Sequence, residues 1–352
     1  MAIESLSTRI VELPLPRPVG TAIHQMTSVG CVLVTLRTSD GIAGEGFAFT
    51  LNGDRIKAFD EMVSGMAHFV VGRDAVDVGA VNAAMWRDIN PTGHKGVTIA
   101  ALAAIDTALW DIVGKQASLP LAKLFGGVRD TVPTYASSGL WLSQSIDELV
   151  EESARFVTQG FRGMKIRIGS KDPADDVARV AAVRDSVGPD VELYVDANQG
   201  LGPKQAIRLA AGLEQFGLVW FEEPVVTHDL AGTARVRDAI SIDVAAGETE
   251  YTSFGMFDLL RSGAVDVLMP DLQRVGGFSE FRRAADVAWV HNTPVSSHFF
   301  TEYSLSLAGS LTNCVSVEHI DWFGPLFNEE VELRDGELVI PTRPGTGFTF
   351  RP

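Results

Sequence analysis

A series of charged side chains punctuates the chain beyond residue 160. It runs Lys165 and Arg167, then Asp196, Glu222, Glu248, Asp271, His298 and Glu318. From Arg167 onward, consecutive members stand 20 to 29 residues apart, about the length of one strand and one helix. Each closes a short apolar run. Asp196, Glu222 and Glu248 end three consecutive runs, and carboxylates gathered at one place repel unless one is protonated or a cation lies between them. Three oxygen ligands without cysteine or histidine favour a hard cation. Mg2+ suits them, because it keeps open positions for water and substrate. Any one of these acids is explained equally well as an exposed strand end, but three at a one-unit period are not.

Asp271 and His298 fall on neighbouring runs, and a carboxylate beside a histidine orients the ring and raises its basicity. Lys165 and Arg167 are two apart on one run, so their side chains face the same way. Two cations opposite three carboxylates and a metal suit an anionic substrate. Glu222 and Glu223 are adjacent and point to opposite sides, so the metal is assigned to Glu222. The set describes removal of the proton α to a substrate carboxylate, with Lys165 or His298 as the base. Mg2+ and Lys165 would stabilise the extra charge of the resulting enediolate more than they stabilise the ground state.

To meet, the runs that carry these residues must lie side by side and point the same way. Eight short apolar runs follow Gly127: Val132–Tyr135, Gly163–Ile166, Val191–Val195, Leu218–Phe221, Val244–Ala246, Val265–Met269, Pro294–Ser296 and Val315–Val317. Most are separated by amphipathic segments such as Asp147–Gln159 and Ala174–Ser186. This alternation predicts parallel strands, and eight such units close into a (β/α)8-type barrel whose C-terminal rim carries the chemistry. An open doubly wound sheet would want a Gly-rich phosphate turn, and no G-x-G-x-x-G or P-loop is present. The first 126 residues read as an α+β domain. Ser39-Asp40-Gly41 between two apolar runs signals a hairpin. Helical spacing predicts helices over Asp54 to about Val71 and over Val97–Lys115. The tail from about Phe323, punctuated by prolines, is expected to pack back on the first domain.

The 352 residues include 45 acidic and 29 basic ones, a formal net charge of −16. That balance argues against sequence-independent nucleic-acid binding and against docking on anionic lipid. Cys31 and Cys314 lie far apart in apolar runs and read as buried thiols. The longest apolar stretch, about Val97 to Val113, is broken by Asp106 and Asp111 and reads as a buried helix. With no basic and apolar leader after Met1, the expected compartment is the cytoplasm.

The ordered set resembles the enolase superfamily, mandelate racemase subgroup, over nearly the whole chain. The resemblance is carried by Ile105–Asp111, Lys165-x-Arg167, Asp196-Ala197-Asn198, Glu222-Glu223-Pro224, Gly247-Glu248, Pro270-Asp271, Gly276-Gly277, Ser296-Ser297-His298 and Glu318. Superfamily sites pair a Lys or His base with one or two Mg2+ ions. The resemblance implies a modified TIM barrel, (β/α)7β, at 127–322, with an α+β capping domain formed by 1–126 and about 323–352. It implies Mg2+ held by Asp196, Glu222 and Glu248, a His298–Asp271 dyad, and Glu318 hydrogen-bonding a substrate carboxylate oxygen. Asn198 joins the substrate-binding set. Specificity is expected in loops around Pro18–Thr27 and Phe49–Asp54, with His24 as a candidate substrate contact. A homo-oligomer, octamer or dimer, is also implied. One departure changes the chemistry: the racemase-like pattern has lysine where this chain has Arg167, and a guanidinium is a poor base. A second is Arg274, again where the pattern has lysine. The reading that follows is a lyase dehydrating an acid sugar or related hydroxy acid to a 2-keto-3-deoxy acid. The alternatives are a racemase or epimerase of a 2-hydroxy acid and, more remotely, a non-catalytic metal-stabilised binding protein.

Overall fold

The computed structural model describes residues 2–352. The chain opens with a three-stranded antiparallel sheet of β1 (Ile3–Gly20), β2 (Gln25–Thr38) and β3 (Ala43–Leu51). The Asp-Gly hairpin signal is correct: Gly41 takes φ +88° and the Thr38 hydroxyl donates to Asp40 at 2.6 Å. The helix expected to run to Val71 divides at Met66 into Ile56–Gly65 and Ala67–Val70, where glycine ends the first piece. The helix Val97–Gln116 lies against β3, buried along most of its length. Gly44 and Gly46 permit that approach, since a Cβ on either would stand 2.1 or 2.2 Å from the carbonyl oxygen of Ala108 or Ala104. The apolarity of this helix therefore serves a core.

All eight expected barrel strands form. They are β4 (Thr131–Ala136), β5 (Gly163–Arg167), β6 (Glu192–Asp196), β7 (Leu218–Glu222), β8 (Asp243–Ala246), β9 (Val267–Leu268), β10 (Val295–Ser297) and β11 (Cys314–His319). They pair in sequence order, all parallel, and β11 pairs with β4 to close the ring. Helices bridge seven successive strand pairs, while β11 runs into a 3-10 turn, which gives the (β/α)7β arrangement. Strand β9 is shorter than its apolar run. Asp266 directs its carboxylate to the Val244 N–H at 2.9 Å and to Arg237 at 2.7 Å. Tyr135, Tyr194 and Trp220 fill the barrel axis with ring centroids 4.2–5.3 Å apart.

The tail divides its contacts. β13 (Glu337–Val339) adds antiparallel to β4, and β12 (Leu333–Arg334) pairs antiparallel with β13. Beyond them, the buried Asp111 carboxylate accepts from the N–H groups of Thr346 and Glu45 and from Lys115, joining tail, β3 and helix. The sheet meets the barrel rim through a ladder-like pair, in which Gln273 accepts from the Phe49 N–H at 2.6 Å and donates to its carbonyl at 3.2 Å. The β1–β2 loop also lies on the rim. A Cβ on Gly200 or Gly169 would come within 2.6 or 3.0 Å of the Ala22 methyl.

Gly46→Ala should lower stability by about 1–3 kcal/mol in denaturant titration, because the new methyl meets backbone rather than a mobile side chain. Gly65→Ala, a helical position with open space around it, should leave stability unchanged or raise it by up to about 1 kcal/mol.

Candidate active site

Because strands of one sense end at one rim, the residues closing β5 to β11 converge. Carboxylate oxygens of Asp196, Glu222 and Glu248 lie within 4.8 Å of one another. Asp196 and Glu222 are buried, and Glu248 follows Gly247, whose φ of +138° turns the chain at the end of β8. Each acid is held by a donor. Asn198 grips Asp196 through its backbone N–H at 2.7 Å and its side-chain amide at 2.9 Å. The Trp220 indole donates to Glu222 at 3.1 Å, and Lys165 reaches the other oxygen of Glu222 at 2.7 Å. The Nε2 atom of His298 lies 3.3 Å from Glu248. Burial, followed by repulsion from Asp196 and the other acids, pushes Glu222 up to about 8 against the pull of Lys165. Burial and the neighbouring acids likewise push Glu248 up to about 7 against the pull of His298. Three all-oxygen donors with an excess of negative charge fit a hard divalent cation.

On the adjoining strands, His298 Nδ1 lies 2.7 Å from Asp271, whose other oxygen accepts the Arg274 N–H at 2.9 Å. The contact with the Asp271 carboxylate is made through Nδ1, which leaves Nε2 on the cavity side. Burial draws the His298 pKa down, but Glu248 and Asp271 outweigh it and hold the ring at about 9. Lys165 bridges Glu222 and Glu318 at 2.7 Å each, and although burial opposes its charge, these acids raise its pKa. The Glu318 carboxylate also accepts from Ser137 at 2.5 Å and from the Phe299 N–H at 2.8 Å. Lys165 and His298 hold its pKa well below the usual carboxylate range despite burial.

Arg167 donates twice to Ser137, to the carbonyl at 3.0 Å and to the hydroxyl at 2.9 Å, and its guanidinium lies 4.3 Å from the Trp141 ring centre. Its Nε is buried without a partner among the described residues and stands 3.7 Å from Asp196. Arg274 donates to the Glu248 carbonyl at 2.6 Å. A cavity of about 240 Å3 opens above the triad. His24 lies on its exposed edge, its pKa lowered by partial burial and by Arg274.

Three neighbours lie outside the residues singled out from sequence. Ser137 directly follows β4, so the strand-end rule extends to it. Trp220 is two residues before Glu222 on β7 and therefore shares its side of the strand. Gln199 donates to Glu223 at 2.8 Å and to Thr249 at 2.9 Å, a network that no local pattern announces. Glu223, at φ +37°, is also turned to line the cavity.

A closed parallel barrel under a separate antiparallel sheet, with acids on three successive strand ends, defines the architecture of the enolase-like enzymes. Residues 5–126 match the N-terminal domain of mandelate racemase / muconate lactonizing enzyme, and residues 148–352 match the enolase C-terminal domain-like family. The chain belongs to the mandelate racemase and muconate lactonizing enzyme family. It is 35% identical to the L-talarate/galactarate dehydratase of Salmonella typhimurium, over 99% of this chain and 89% of that one. It is 32% identical to the arabinonate dehydratase of Saccharolobus solfataricus, over 94% and 90%. The solved structure of L-talarate dehydratase from Polaromonas sp. JS666, complexed with Mg and L-glucarate, superposes with a TM-score of 0.95. Its identity is 34%, over 99% of this chain and 95% of that one.

Trp220→Phe, which removes the indole donor from Glu222 and keeps the ring, should weaken divalent-cation binding about tenfold in isothermal titration.

Proposed function

We propose that the protein is a Mg2+-dependent lyase. It would remove the proton α to the carboxylate of an acid sugar or related hydroxy acid and expel the β-hydroxyl, giving a 2-keto-3-deoxy acid. The observation that carries this reading is the cavity floor, where an acidic triad, a His–Asp dyad and an arginine in place of a second base face one another. Asp196, Glu222 and Glu248 would hold the ion, which when bound supplies a positive centre for the charge developing on the substrate carboxylate.

The chain's own groups divide the remaining work. Lys165 lies against two acids that favour its charged form, so it acts as a donor to the substrate's carboxylate. His298, fixed by Asp271 at Nδ1, presents Nε2 as the base. The acid that raises its basicity, Glu248, would be among the residues holding the ion, and Nε2 would then be free to accept. The Cα–H bond breaks, the proton passes to Nε2, and the same imidazolium then protonates the β-hydroxyl as its C–O bond breaks. Water leaves, and the enol tautomerises to the 2-keto acid. Arg167 does not take a proton. Stacked on Trp141 and bonded to Ser137, it supplies fixed positive charge beside Asp196 and Glu318. Glu318 serves first to hold Lys165 and Arg167, and it reaches a substrate oxygen only by exchanging one of its three donors. Asn198 acts mainly through Asp196, and its buried Oδ1, without a protein partner among the described residues, can accept from substrate. His24 would contact substrate from the loop. The same reading takes the protein as a cytoplasmic homo-oligomer, octamer or dimer. The exposed Phe254, Trp289 and Val290 support assembly.

Incubation with mono- and diacid sugars should yield 2-keto acids. Removing divalent ions with EDTA should abolish turnover, and added Mg2+ should restore it. α-Proton exchange without water loss across the whole series would overturn dehydration in favour of racemisation or epimerisation. His298→Asn should cut α-deuterium exchange by about 100- to 10,000-fold. Full turnover by Asp271→Asn would instead favour a site in which the dyad has no catalytic part. Arg167→Lys should introduce a second proton carrier, detected as new epimerised substrate by polarimetry.

A further inference from the structure

The cavity has two unlike halves. Along the ends of β6, β7 and β8 and the short helix after β9 stand Asn198, Gln199, Glu223, Thr249 and Arg274. The opposite arc follows β10, β11 and β4, which the closing of the ring makes neighbours. It carries Phe299, Trp322 and Trp141, and the capping sheet lays Met26, Phe49 and Leu51 against them. These rings form one continuous wall. Trp141 and Trp322 stack at 5.6 Å, Phe299 lies 5.4 Å from Trp322, and Phe49 lies 5.4 Å from Phe299. The wall begins at the reacting groups themselves, since the His298 ring stacks on Phe299 at 4.1 Å and Arg167 lies over Trp141. It is also held from behind, with Phe323 5.1 Å from Phe49 and 6.2 Å from Phe299.

The polar side-chain atoms of this wall are two indole N–H groups and a thioether. A substrate hydroxyl pressed against it gives up water and finds no good acceptor for its proton. Alkyl or aryl carbon in the same place loses no hydrogen bond and gains apolar contact. A substrate carboxylate held at the triad would leave the hydroxyls that the reaction needs, at C2 and C3, near the triad and the polar arc. We propose that the substrate is a compact 2,3-dihydroxy carboxylate whose chain beyond C3, or whose substituent at C3, is alkyl or aryl and rests on the Trp141–Trp322–Phe299–Phe49 wall. This inference rests on the α-proton reading of the same site and narrows the substrate class within it.

The test is a matched panel on the Mg2+-loaded enzyme. Both diastereomers of 2,3-dihydroxy-3-phenylpropanoate and 2,3-dihydroxy-4-methylpentanoate are compared with arabinonate and galactarate. The readouts are keto-acid formation and α-deuterium exchange. At least one apolar-tailed acid should show kcat/KM about tenfold or more above both sugar acids. Leu51→Gln, a half-buried position on the capping sheet, should narrow that ratio roughly threefold or more, mainly by raising KM for the apolar-tailed acid. Equal or better turnover of arabinonate or galactarate would overturn the assignment of the tail and leave the proton chemistry standing. An absence of α-exchange with every carboxylate in the panel and with the wider sugar-acid series would overturn the proposed reaction and this inference with it.

Discussion

Like charges buried together set the terms for this protein. Asp196, Glu222 and Glu248 share a space 4.8 Å across, and Glu223 and Glu318 are buried close by. Taking one ionised carboxylate out of water is costly, and five in one neighbourhood require compensation from fixed cations, hydrogen-bond donors or a bound ion. The chain supplies Lys165, Arg167, His298 and Arg274, and it adds neutral donors from Trp220, Asn198, Gln199 and Ser137. Two of the triad acids are nevertheless pushed up toward neutrality. That residual imbalance is what makes the triad receptive to a divalent cation.

The architecture answers the same constraint mechanically. Groups that repel stay together only if their backbones cannot move apart, and a closed parallel barrel with an aromatic axis has no free edge along which to relax. The capping sheet then covers the rim. Gln273 binds both backbone groups of Phe49, the β1–β2 loop rests on Gly169 and Gly200, and Asp111 ties the chain's tail to the sheet and its helix. The cover lowers the local exposure of the charged groups and strengthens their interactions.

Within this frame Arg167 separates reaction types. A lysine there would offer an amine able to lose a proton. A guanidinium, stacked and doubly hydrogen-bonded, offers only permanent charge. On the proposed reading, proton traffic is concentrated on the His298 side, which suits loss of water from a single face better than inversion at carbon.

Much of this was legible in the sequence because both the barrel and its catalytic rim are periodic. Strand–helix alternation marks the eight strands, and the type and period of Asp196, Glu222 and Glu248 mark the triad. Asp271 and His298 were readable as a pair because parallel neighbours end at the same level. Tertiary structure decided what periodicity does not encode. It gave Ser137 to Arg167 and Glu318, and it turned Glu223 into the cavity through a left-handed backbone angle. It also gathered Met26, Phe49, Trp141, Phe299 and Trp322 from distant segments into one wall. Repeating patterns arise from the fixed side-chain periods of strand and helix backbones and so survive in one dimension. The shape of a pocket arises from packing between segments that have no fixed separation along the chain.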